Sequence, residues 1–365
     1  MSNADKLPVV VIAAMPPPVT GMTSATKHVV QRLRERGDVT VWTTSGGDRP
    51  PGVQRHVRRA LRYFLAIFVL AGQRIRGVRH LYLVANSGSG LWFDIGMLTV
   101  ARLLRYQTTM HHHVYAYINR PDRRMAWLDR SLRRGGAHVF LSEGMRDDFV
   151  ERYSSTTKAL VAHNPVSVVS QPRTPPSEFT SDRPLRLGLL ANLTIEKGVG
   201  LAIETFETLH QQGVPVILEL AGPERGEEVE QLVARACERY PGRVMSIGPV
   251  YGEEKLAYLQ RVDVMLFPTQ YPNEAQPLVL LEAWSAGAPV LAYNRGCIGG
   301  MANPPALHAY QPETHFATEA AAQITHWIND PETYADACTA AKQRTEQMAE
   351  QTVHGFDRLI DRLVA

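Results

Sequence analysis

The sequence predicts an α/β protein of two doubly wound domains, and three observations lead to that fold class. The chain has 365 residues, which is too long for one ordinary hydrophobic core. Apolar strand-like runs alternate with helix-like segments in both halves, a pattern typical of parallel sheets covered on both faces. Between the halves, residues 167–184 are rich in Pro, Ser and Thr without an apolar period, which indicates a linker.

The order of these runs gives the domain boundaries. Strands are expected at 8–13, 39–42, 81–84, 185–190, 216–220, 244–247 and 262–267. The end of the chain is predicted to be an amphipathic helix, with Val353, Phe356, Leu359, Ile360 and Leu363 at helical spacing. We place the first domain at 1–168, the linker at 169–184 and the second domain at 185–345, with a helix at about 346–365 packing back on the first domain. Two such domains would face each other across a cleft, where doubly wound folds bind ligands.

Composition and charge narrow the class of protein. The 44% apolar and 21% charged content is typical of a folded soluble protein, and the three cysteines lie too far apart for a metal or redox motif. Residues 1–180 carry 25 Lys and Arg against 12 Asp and Glu, a net +13, whereas residues 181–365 carry 14 against 24, a net −10. We therefore expect only the first half to face an anionic partner.

An uncharged run at 63–72 (YFLAIFVLAG) is flanked by arginines and is too short to span a bilayer. Two interpretations remain open, a buried helix of the first domain or a helix lying on an anionic membrane surface. Either suits a cytoplasmic protein, which the polar N-terminus also favours over a secreted one.

The most informative segment is 273–283 (NEAQPLVLLEA), where Glu274 and Glu282 are separated by seven residues. Glu274 follows a strand-like run, and Pro277 suits the first turn of a helix that would end at Gly287. Glu274 should thus lie on the loop and Glu282 inside the helix. The free N–H groups of that first turn attract anions, so the segment suits a ligand with phosphate and hydroxyl groups.

The second half resembles retaining glycosyltransferases of family 4, which have the GT-B fold of two Rossmann-like domains. The resemblance rests on segments 190–198 (LANLTIEKG), 220–223 (LAGP), 263–268 and the Glu274/Glu282 pair (EX7E) followed by GAPV at 287–290. The first half matches more loosely, through the loop containing Gly21, the histidines at 111–113 and the turn at 163–166. The family transfers a sugar from a nucleotide diphosphate sugar to an acceptor with retention of the anomeric configuration.

The resemblance implies roles for individual residues. Glu274 would contact the sugar hydroxyls, Glu282 the ribose hydroxyls, and Lys197 the diphosphate, whose negative charge grows as the glycosidic bond breaks. Gly21 would let the first loop approach that diphosphate. Where the family often has a second phosphate-binding arginine, this chain has Asn192, so Lys197 would carry more of the charge. The remaining donor contacts would be the backbone around Ala275, Gln276, Pro277 and Leu278.

The three adjacent histidines follow a probable strand. A metal site is not expected, because His111 and His113 have strand spacing but no further ligand nearby. The resemblance implies that one histidine contacts the donor sugar near the reaction centre, and Thr-x-His aligns best on His111. His112 and His113 remain possible contacts to the sugar or the acceptor.

The sequence thus predicts a retaining, hexosyl-type glycosyltransferase that uses a UDP- or GDP-sugar and an anionic glycan or lipid-linked acceptor, as in cell-surface polysaccharide or glycolipid synthesis. No metal or other cofactor is expected, and peripheral contact with an anionic membrane is possible. A nucleotide-sugar epimerase on the same fold and a non-catalytic nucleotide-sugar or glycan-binding protein remain alternatives. An oxidoreductase and a nucleic-acid-binding protein are disfavoured, since residues 86–90 (NSGSG) lack GxGxxG spacing and basic motifs interleaved with aromatics are absent.

Overall fold

The computed structural model describes the chain with a few gaps, at residues 8–17, 19–45, 53–166, 175–176 and 178–364. The predicted linker at 169–184 lies partly outside these residues. Two compact units form, one from Met1–Pro165 with Glu350–Ala365 and the other from Val166–Ala349. We call them unit 1 and unit 2.

Unit 1 is a doubly wound domain around a parallel sheet of six strands in the order β2-β1-β3-β4-β5-β6. The strands are β1 Val9–Ala13, β2 Val39–Thr43, β3 His80–Val84, β4 Gln107–His111, β5 Ala137–Phe140 and β6 Lys158–Val161. The strand order reverses between β1 and β3, and Val84 pairs with His111 at the carboxyl end of the sheet. The central strands are buried on both faces, as parallel strands require.

The helices of unit 1 connect these strands. They are α1 Gly21–Arg36, α2 Val53–Ile75, α3 Leu91–Leu103, α4 Ala116–Asn119, α5 Arg123–Leu132 and α6 Glu143–Tyr153. Helix α2 contains the predicted apolar run, which is only partly buried. It buries Tyr63, Ala66 and Leu70, but Phe64 and Phe68 remain exposed.

Unit 2 repeats the doubly wound arrangement, with the strand order β12-β11-β10-β7-β8-β9. The strands are β7 Leu185–Leu190, β8 Val216–Ala221, β9 Val244–Gly248, β10 Val264–Phe267, β11 Val290–Tyr293 and β12 Leu307–Tyr310. The chain runs outward from β7 to β9, then returns to the other side of β7 with β10. The order therefore reverses between β7 and β10, which is where folds of this kind bind ligands.

The helices of unit 2 are α7 Val199–Gln211, α8 Glu227–Arg239, α9 Gly252–Arg261, α10 Leu278–Ser285, α11 Ile298–Met301 and α12 Phe316–Asn329. Helix α10 ends as predicted. Gly287 has a φ of +82°, and the N–H groups of Gly287 and Ala288 donate to the carbonyls of Trp284 and Ala283 in a Schellman motif. Pro277 is the N-cap of α10, one position before the predicted first turn.

The last helix, α13, runs from Pro331 to Val364, and its final part packs on unit 1. Phe356, Leu359, Ile360 and Leu363 join the core around β1 and α1. Val353 was predicted on this apolar face, but its side chain is 47% exposed and Thr352 is buried in its place. The helical rotation therefore starts the buried stripe one residue earlier than predicted.

No helix in the described residues is both long enough and apolar enough to cross a membrane. The two doubly wound α/β domains expected from the alternation of strands and helices are confirmed.

Candidate functional site

The loops that follow β7 and β10 in unit 2 lie together at the reversal of strand order. Residues 191–198 follow β7, and residues 268–277 lead from β10 into α10. The N–H of Gln270 donates to the carbonyl of Glu196 at 2.7 Å, which ties the two loops together. Segments distant in sequence thereby form one small region of unit 2.

Lys197 is held by a tight turn. Residues Ile195–Lys197 form a 3-10 turn, which Thr194 caps by accepting the N–H of Lys197 at 3.1 Å. Gly198 has a φ of +82°, and a Cβ at this position would overlap the carbonyl oxygen of Pro268. Only glycine allows this approach without strain, so the Lys197-Gly198 sequence joins the β7 loop closely to the β10 loop.

The Lys197 ammonium forms a short ion pair with the Glu274 carboxylate. The Thr269 hydroxyl donates to the same carboxylate at 3.1 Å, and the Lys197 Nζ lies 4.9 Å from the centre of the Tyr271 ring. The Lys197 and Glu274 side chains are 22% and 12% exposed, so both can be reached by a ligand while largely shielded from water. Because less water surrounds these charges, their electrostatic interaction with a ligand is stronger than it would be on an open surface.

The Glu274 loop is fixed from its other side by the loop after β11. Gly296 has a φ of +53°, and a Cβ on it would overlap the carbonyl oxygen of Glu274. The N–H of Cys297 donates to the carbonyl of Ala275 at 3.0 Å. The position of Glu274 is thus set by close backbone contacts from β11 as well as from β7.

The segment after Glu274 leads into helix α10. Ala275, Gln276 and Pro277 are buried, while Leu278, the first residue of the helix, is partly exposed. The N–H of Leu280 donates to the carbonyl of Pro277 at 3.3 Å, whereas the N–H groups of Leu278 and Val279 have no acceptor within the helix by position. The positive end of the helix dipole lies here. Glu274 is therefore placed beside a group of donors suited to an anion.

Glu282 lies inside α10 and forms a second ion pair, with Lys255 of α9 at 2.5 Å. The two side chains are 19% and 30% exposed. Each carboxylate of the predicted Glu274/Glu282 pair thus has its own lysine, and the two glutamates do not hydrogen-bond to each other.

Asn192 lies on the same β7 loop and is exposed. This loop is fastened to the loop after β8, because the N–H of Leu193 donates to the carbonyl of Pro223 at 2.9 Å. Gly222 has a φ of +130°, and any Cβ there would overlap the carbonyl oxygen of Ala191. The glycine of the LAGP segment at 220–223 is therefore needed for the backbone of this segment to approach the β7 loop so closely.

In unit 1, Gly21 is the first residue of α1, whereas it was predicted to lie on the preceding loop. The reason is the capping box that Thr20 and Thr23 form: the Thr23 N–H donates to the Thr20 hydroxyl at 3.2 Å and the Thr20 N–H to the Thr23 hydroxyl at 2.9 Å. Gly21 is exposed, so it leaves the N-terminus of the helix open to a ligand.

His111 ends β4 and is 1% exposed. Its Nδ1 lies 2.6 Å from the hydroxyl of Tyr82 on β3, and burial raises the pKa of that phenol. Among the described residues, His111 is the only hydrogen-bond partner of this hydroxyl. If the phenol donates to Nδ1, the proton of the neutral imidazole resides on Nε2. Burial and the neighbouring His113 and His112 hold the pKa of His111 well below its usual value, which keeps the ring neutral.

His113 is the second histidine with an unused nitrogen. The Nε2 atoms of His111 and His113 are buried and have no hydrogen-bond partner within the described ranges. The two rings lie 4.2 Å apart, and burial lowers the pKa of His113 to about 4. Thr108, His308 and Arg344 also have such an atom, and what sets His111 and His113 apart is that their two rings adjoin each other.

His112 points away from these two into the core of unit 1. Its Nδ1 lies 2.7 Å from the Tyr117 hydroxyl, its Nε2 lies 2.7 Å from Nδ1 of His138, and its ring stacks on Phe140. Both ring nitrogens are therefore occupied, and His112 is not available for a sugar or an acceptor. The strand geometry explains this correction, because alternate residues after a strand point to opposite sides.

The chain of hydrogen bonds continues from His138 to Asp129, at 3.3 Å. Burial would raise the pKa of Asp129, but hydrogen bonds from His138, Ser155 and Thr157 outweigh it and lower the pKa to about 2. The ionised carboxylate accepts from several donors, and each donor in the chain from Tyr117 can point toward it. This network stabilises unit 1 and takes no part in the candidate site.

Several residues of the site were missed by sequence reasoning: Thr269, Tyr271, Lys255, Gly296 and Tyr82. Thr269 and Tyr271 could have been suspected, since they lie between the end of a predicted strand and Glu274. Lys255, Gly296 and Tyr82 come from other elements, and no local pattern marks them. In the part of the chain that the structure describes, no three His, Cys, Asp or Glu side chains gather in a group that could hold a metal ion.

Known proteins match the second half of the chain in sequence and nearly all of it in fold. Residues 171–344 match the sequence model of the family described as Glycosyl transferases group 1. No significant match to the chain is found among curated protein sequences.

The fold is similar to solved structures that span nearly the whole chain. HepE from Anabaena, in complex with UDP, has 14% identity and a TM-score of 0.69 over 96% of this chain and 100% of its own. Sucrose-phosphate synthase from Thermosynechococcus elongatus has 17% identity and a TM-score of 0.71 over 98% and 100%. A glycosyltransferase from Rickettsia africae has 12% identity and a TM-score of 0.72 over 99% of each chain. Residues 171–344 thus match a glycosyltransferase family, and the chain as a whole has the GT-B fold of these structures.

Proposed function

We propose that the chain is a retaining glycosyltransferase of the family 4 type, which transfers a hexosyl group from a UDP- or GDP-sugar to an acceptor. The observation that carries this proposal is the Lys197–Glu274 ion pair beside the N-terminus of α10. A cation, a carboxylate and free helix N–H groups match the three parts of a sugar diphosphate: its charge, its hydroxyls and its phosphate oxygens.

Lys197 would hold the diphosphate. Its ammonium has three N–H donors, so it can keep Glu274 as one partner and still donate to a phosphate oxygen. As the glycosidic bond breaks, the leaving diphosphate gains negative charge, and a fixed cation stabilises that charge more than it stabilises the bound donor. We assign Lys197 this role in the transition state.

Glu274 would bind the sugar. One carboxylate oxygen already accepts from Lys197 and Thr269, which leaves the other able to accept hydroxyls of the donor sugar. The N–H groups around Ala275, Gln276 and Leu278 would surround the sugar and phosphate, whereas Pro277 has none to offer.

Glu282 would accept the two ribose hydroxyls. Its Lys255 partner occupies Oε1 and fixes the carboxylate in one orientation, and the second oxygen remains for the ribose. Asn192, exposed on the β7 loop, would add an uncharged donor to the phosphate, and Gly21 would leave room for the diphosphate at the start of α1.

His111 would donate from Nε2 to an oxygen of the donor sugar. This role rests on the tautomer in which Tyr82 donates to Nδ1, and on the neutral state of the ring. His113 has a buried Nε2 of its own and would bind a sugar or acceptor hydroxyl.

Retention in this proposal comes from attack on the same face that the diphosphate leaves. The acceptor oxygen forms the new bond to the anomeric carbon, the bond from that carbon to the phosphate oxygen breaks, and the acceptor proton passes to the departing phosphate. No metal ion is needed, because Lys197 and the start of α10 supply the positive charge. Activity that persists in excess chelator would agree with this, and activity restored only by a divalent cation would contradict it.

Three observations support the donor class and the acceptor. HepE, with the same fold, is solved in complexes with UDP and with UDP-glucose. A pneumococcal O-GlcNAc transferase of similar fold is solved with UDP and GlcNAc. The net +13 of residues 1–180 favours an anionic glycan or lipid-linked acceptor, as used in polysaccharide or glycolipid synthesis.

A panel of nucleoside diphosphates and nucleotide sugars tests the proposal by thermal shift. A donor at a hundred times its dissociation constant should add about 2.7 kcal/mol to the free energy of unfolding. The bound donor is then incubated alone and with candidate acceptors, and products are analysed by NMR for the anomeric configuration. Conversion of donor into another nucleotide sugar would identify an epimerase, and binding without turnover with any acceptor would identify a binding protein.

A further inference from the structure

Helices α2 and α3 of unit 1 present an apolar surface to solvent. Their large exposed apolar side chains, which we call the α2–α3 apolar surface, are Val57, Leu61, Phe64, Leu65, Phe68 and Ile75 on α2 and Trp92 and Leu103 on α3. Phe64, Phe68 and Trp92 are 56%, 61% and 64% exposed. Exposed apolar side chains grouped on neighbouring helices in this way are typical of a place where another apolar body binds.

The exposed stripe on α2 is separate from the stripe that packs on the domain. Leu61, Phe64 and Phe68 recur at intervals of three and four residues and so lie on one side of the helix. The buried residues Tyr63 and Leu70 lie on another side. The helix therefore has more apolar surface than its own domain covers.

The two helices that carry this surface contact each other through their side chains. The Tyr63 and Phe93 rings stack with their centres 4.6 Å apart, and Arg74 Nε donates to the carbonyl of Leu104 at 2.7 Å. Between α2 and α3 runs an apolar groove of about 380 Å³. Its walls include Phe64, Ile67, Trp92 and Val100.

A network of hydrogen bonds around Asn86 also joins the two helices. Arg59 and Tyr63 of α2 and Asp94 of α3 all bond to the side chain of Asn86, at 2.5 to 2.8 Å. Side chains from both helices thus meet on one asparagine, which joins α2 to α3.

The charges around the surface have a single sign. Residues 53–105 contain nine arginines, no lysine and one acidic residue, Asp94, which is fully buried. The exposed arginines include Arg58 near the start of α2, Arg76 just after its end, Arg79, and Arg102 and Arg105 at the end of α3. The apolar surface is therefore bordered by cations and by no exposed acid within these residues.

We propose that the α2–α3 apolar surface docks on an anionic lipid bilayer, with the aromatic side chains in the boundary between headgroups and acyl chains and the arginines among the headgroups. This combination of an apolar face and a purely cationic border is what holds helices at such an interface. A second copy of the chain fits less well, because it would bring the same set of arginines against the first. The inference does not depend on the glycosyltransferase activity.

Sedimentation of the full chain with vesicles tests the proposal. At low salt the chain should bind vesicles containing phosphatidylglycerol and not vesicles of phosphatidylcholine alone, and added salt should weaken the binding. The double variant Phe64→Ser with Phe68→Ser should have a vesicle partition coefficient at least about tenfold lower, since each substitution removes apolar surface from the interface. Arg76→Gln together with Arg102→Gln should lower it at low salt by about fivefold for each arginine.

Val353→Ser and Arg239→Gln are matched controls, since they remove an exposed apolar side chain and an exposed arginine elsewhere in the chain. Both should bind as the unchanged protein does, and circular dichroism should show all variants folded. Three results would overturn the proposal: no binding of the unchanged protein to anionic vesicles at low salt, full binding by the phenylalanine variant, or a lipid-free dimer in light scattering that the phenylalanine variant abolishes.

Discussion

The candidate site of unit 2 and the histidine cluster of unit 1 differ in charge and in burial. In unit 2, Lys197 and Glu274 are charged, paired and partly open to solvent. In unit 1, His111 and His113 are buried, and desolvation lowers the pKa of both rings, so they are neutral. Under the proposed function, the charge for a leaving diphosphate lies where some water remains, whereas the groups that would bind hydroxyls lie where little water enters.

The largest expected effect comes from breaking the charged pair. Lys197→Met and Glu274→Gln should each lower turnover by about 10² to 10³, the usual scale for losing one preorganised charge contact in the transition state. Steady-state rates over a range of donor concentrations measure this. Because the two side chains act on one donor, the double variant should lose less than the product of the two single losses.

Lys255→Met is the matched control, since it also removes a lysine from an ion pair with a glutamate of α10. We expect it to raise the KM for the donor with a much smaller change in turnover. Near-normal turnover in both Lys197→Met and Glu274→Gln would contradict the assignment of the site.

The same contrast explains what the sequence could predict. Glu274 and Glu282 could be placed on a loop and inside a helix from the strand end, proline and glycine around α10, whereas Lys197 was singled out through the resemblance to a family. The lysine that pairs with Glu282 could not be predicted, because Lys255 lies on a different helix, 27 residues away in sequence. The doubly wound fold was predictable because it depends on the alternation of apolar runs, which is local.

The histidines could be located but not distinguished by pattern. Adjacent residues after a strand alternate in direction, but which of them faces inward depends on Tyr82, Tyr117 and His138, from three other elements. The same limit applies to Val353, where a shift of one residue in helical phase exchanged an expected core side chain with Thr352. Contacts between distant segments decide these cases.

Substitution of His112 should lower mainly the stability of the protein, and substitution of His111 mainly its activity. His112→Ala leaves the Tyr117 hydroxyl and His138 Nδ1 without partners and should lower the free energy of unfolding by about 3 kcal/mol. His111→Ala should lower turnover by about 10²-fold, as for loss of a group that acts on the reacting centre, with a smaller effect on stability. Urea denaturation and initial rates measure the two effects. Equal loss of stability in both variants would remove the distinction between them.

A buried carboxyl of unit 1 provides a further contrast with Glu274. Burial raises the pKa of Asp94 to about 7, although hydrogen bonds from Asn86 act in the opposite direction. The folded state therefore binds a proton that the unfolded state has released above about pH 4, so the free energy of unfolding should fall as pH rises from 5 to 8. The expected fall is about 2.7 kcal/mol, from about 1.4 kcal/mol for each of the two pH units between pH 5 and the pKa of about 7.

Urea titrations at pH 5 and pH 8 measure this effect, with Asp94→Asn as the control. The variant should show a smaller fall between the two pH values than the unchanged protein. If both chains have the same dependence on pH, Asp94 is already ionised in the folded state and the contrast with Glu274 disappears.

The smallest effect should come from Tyr82, which acts only through His111. Tyr82→Phe removes the donor that keeps the imidazole proton on Nε2, so part of the population would carry it on Nδ1 and could not donate to the sugar. We expect turnover to fall about fivefold, corresponding to about 1 kcal/mol, with little change in the KM for the donor. Nitrogen chemical shifts of His111 would report the tautomer directly, a change that simple loss of packing would not produce. If turnover falls while the Nε2 tautomer persists, Tyr82 supports the site by packing alone, and the neutral cluster owes its orientation to burial rather than to this hydrogen bond.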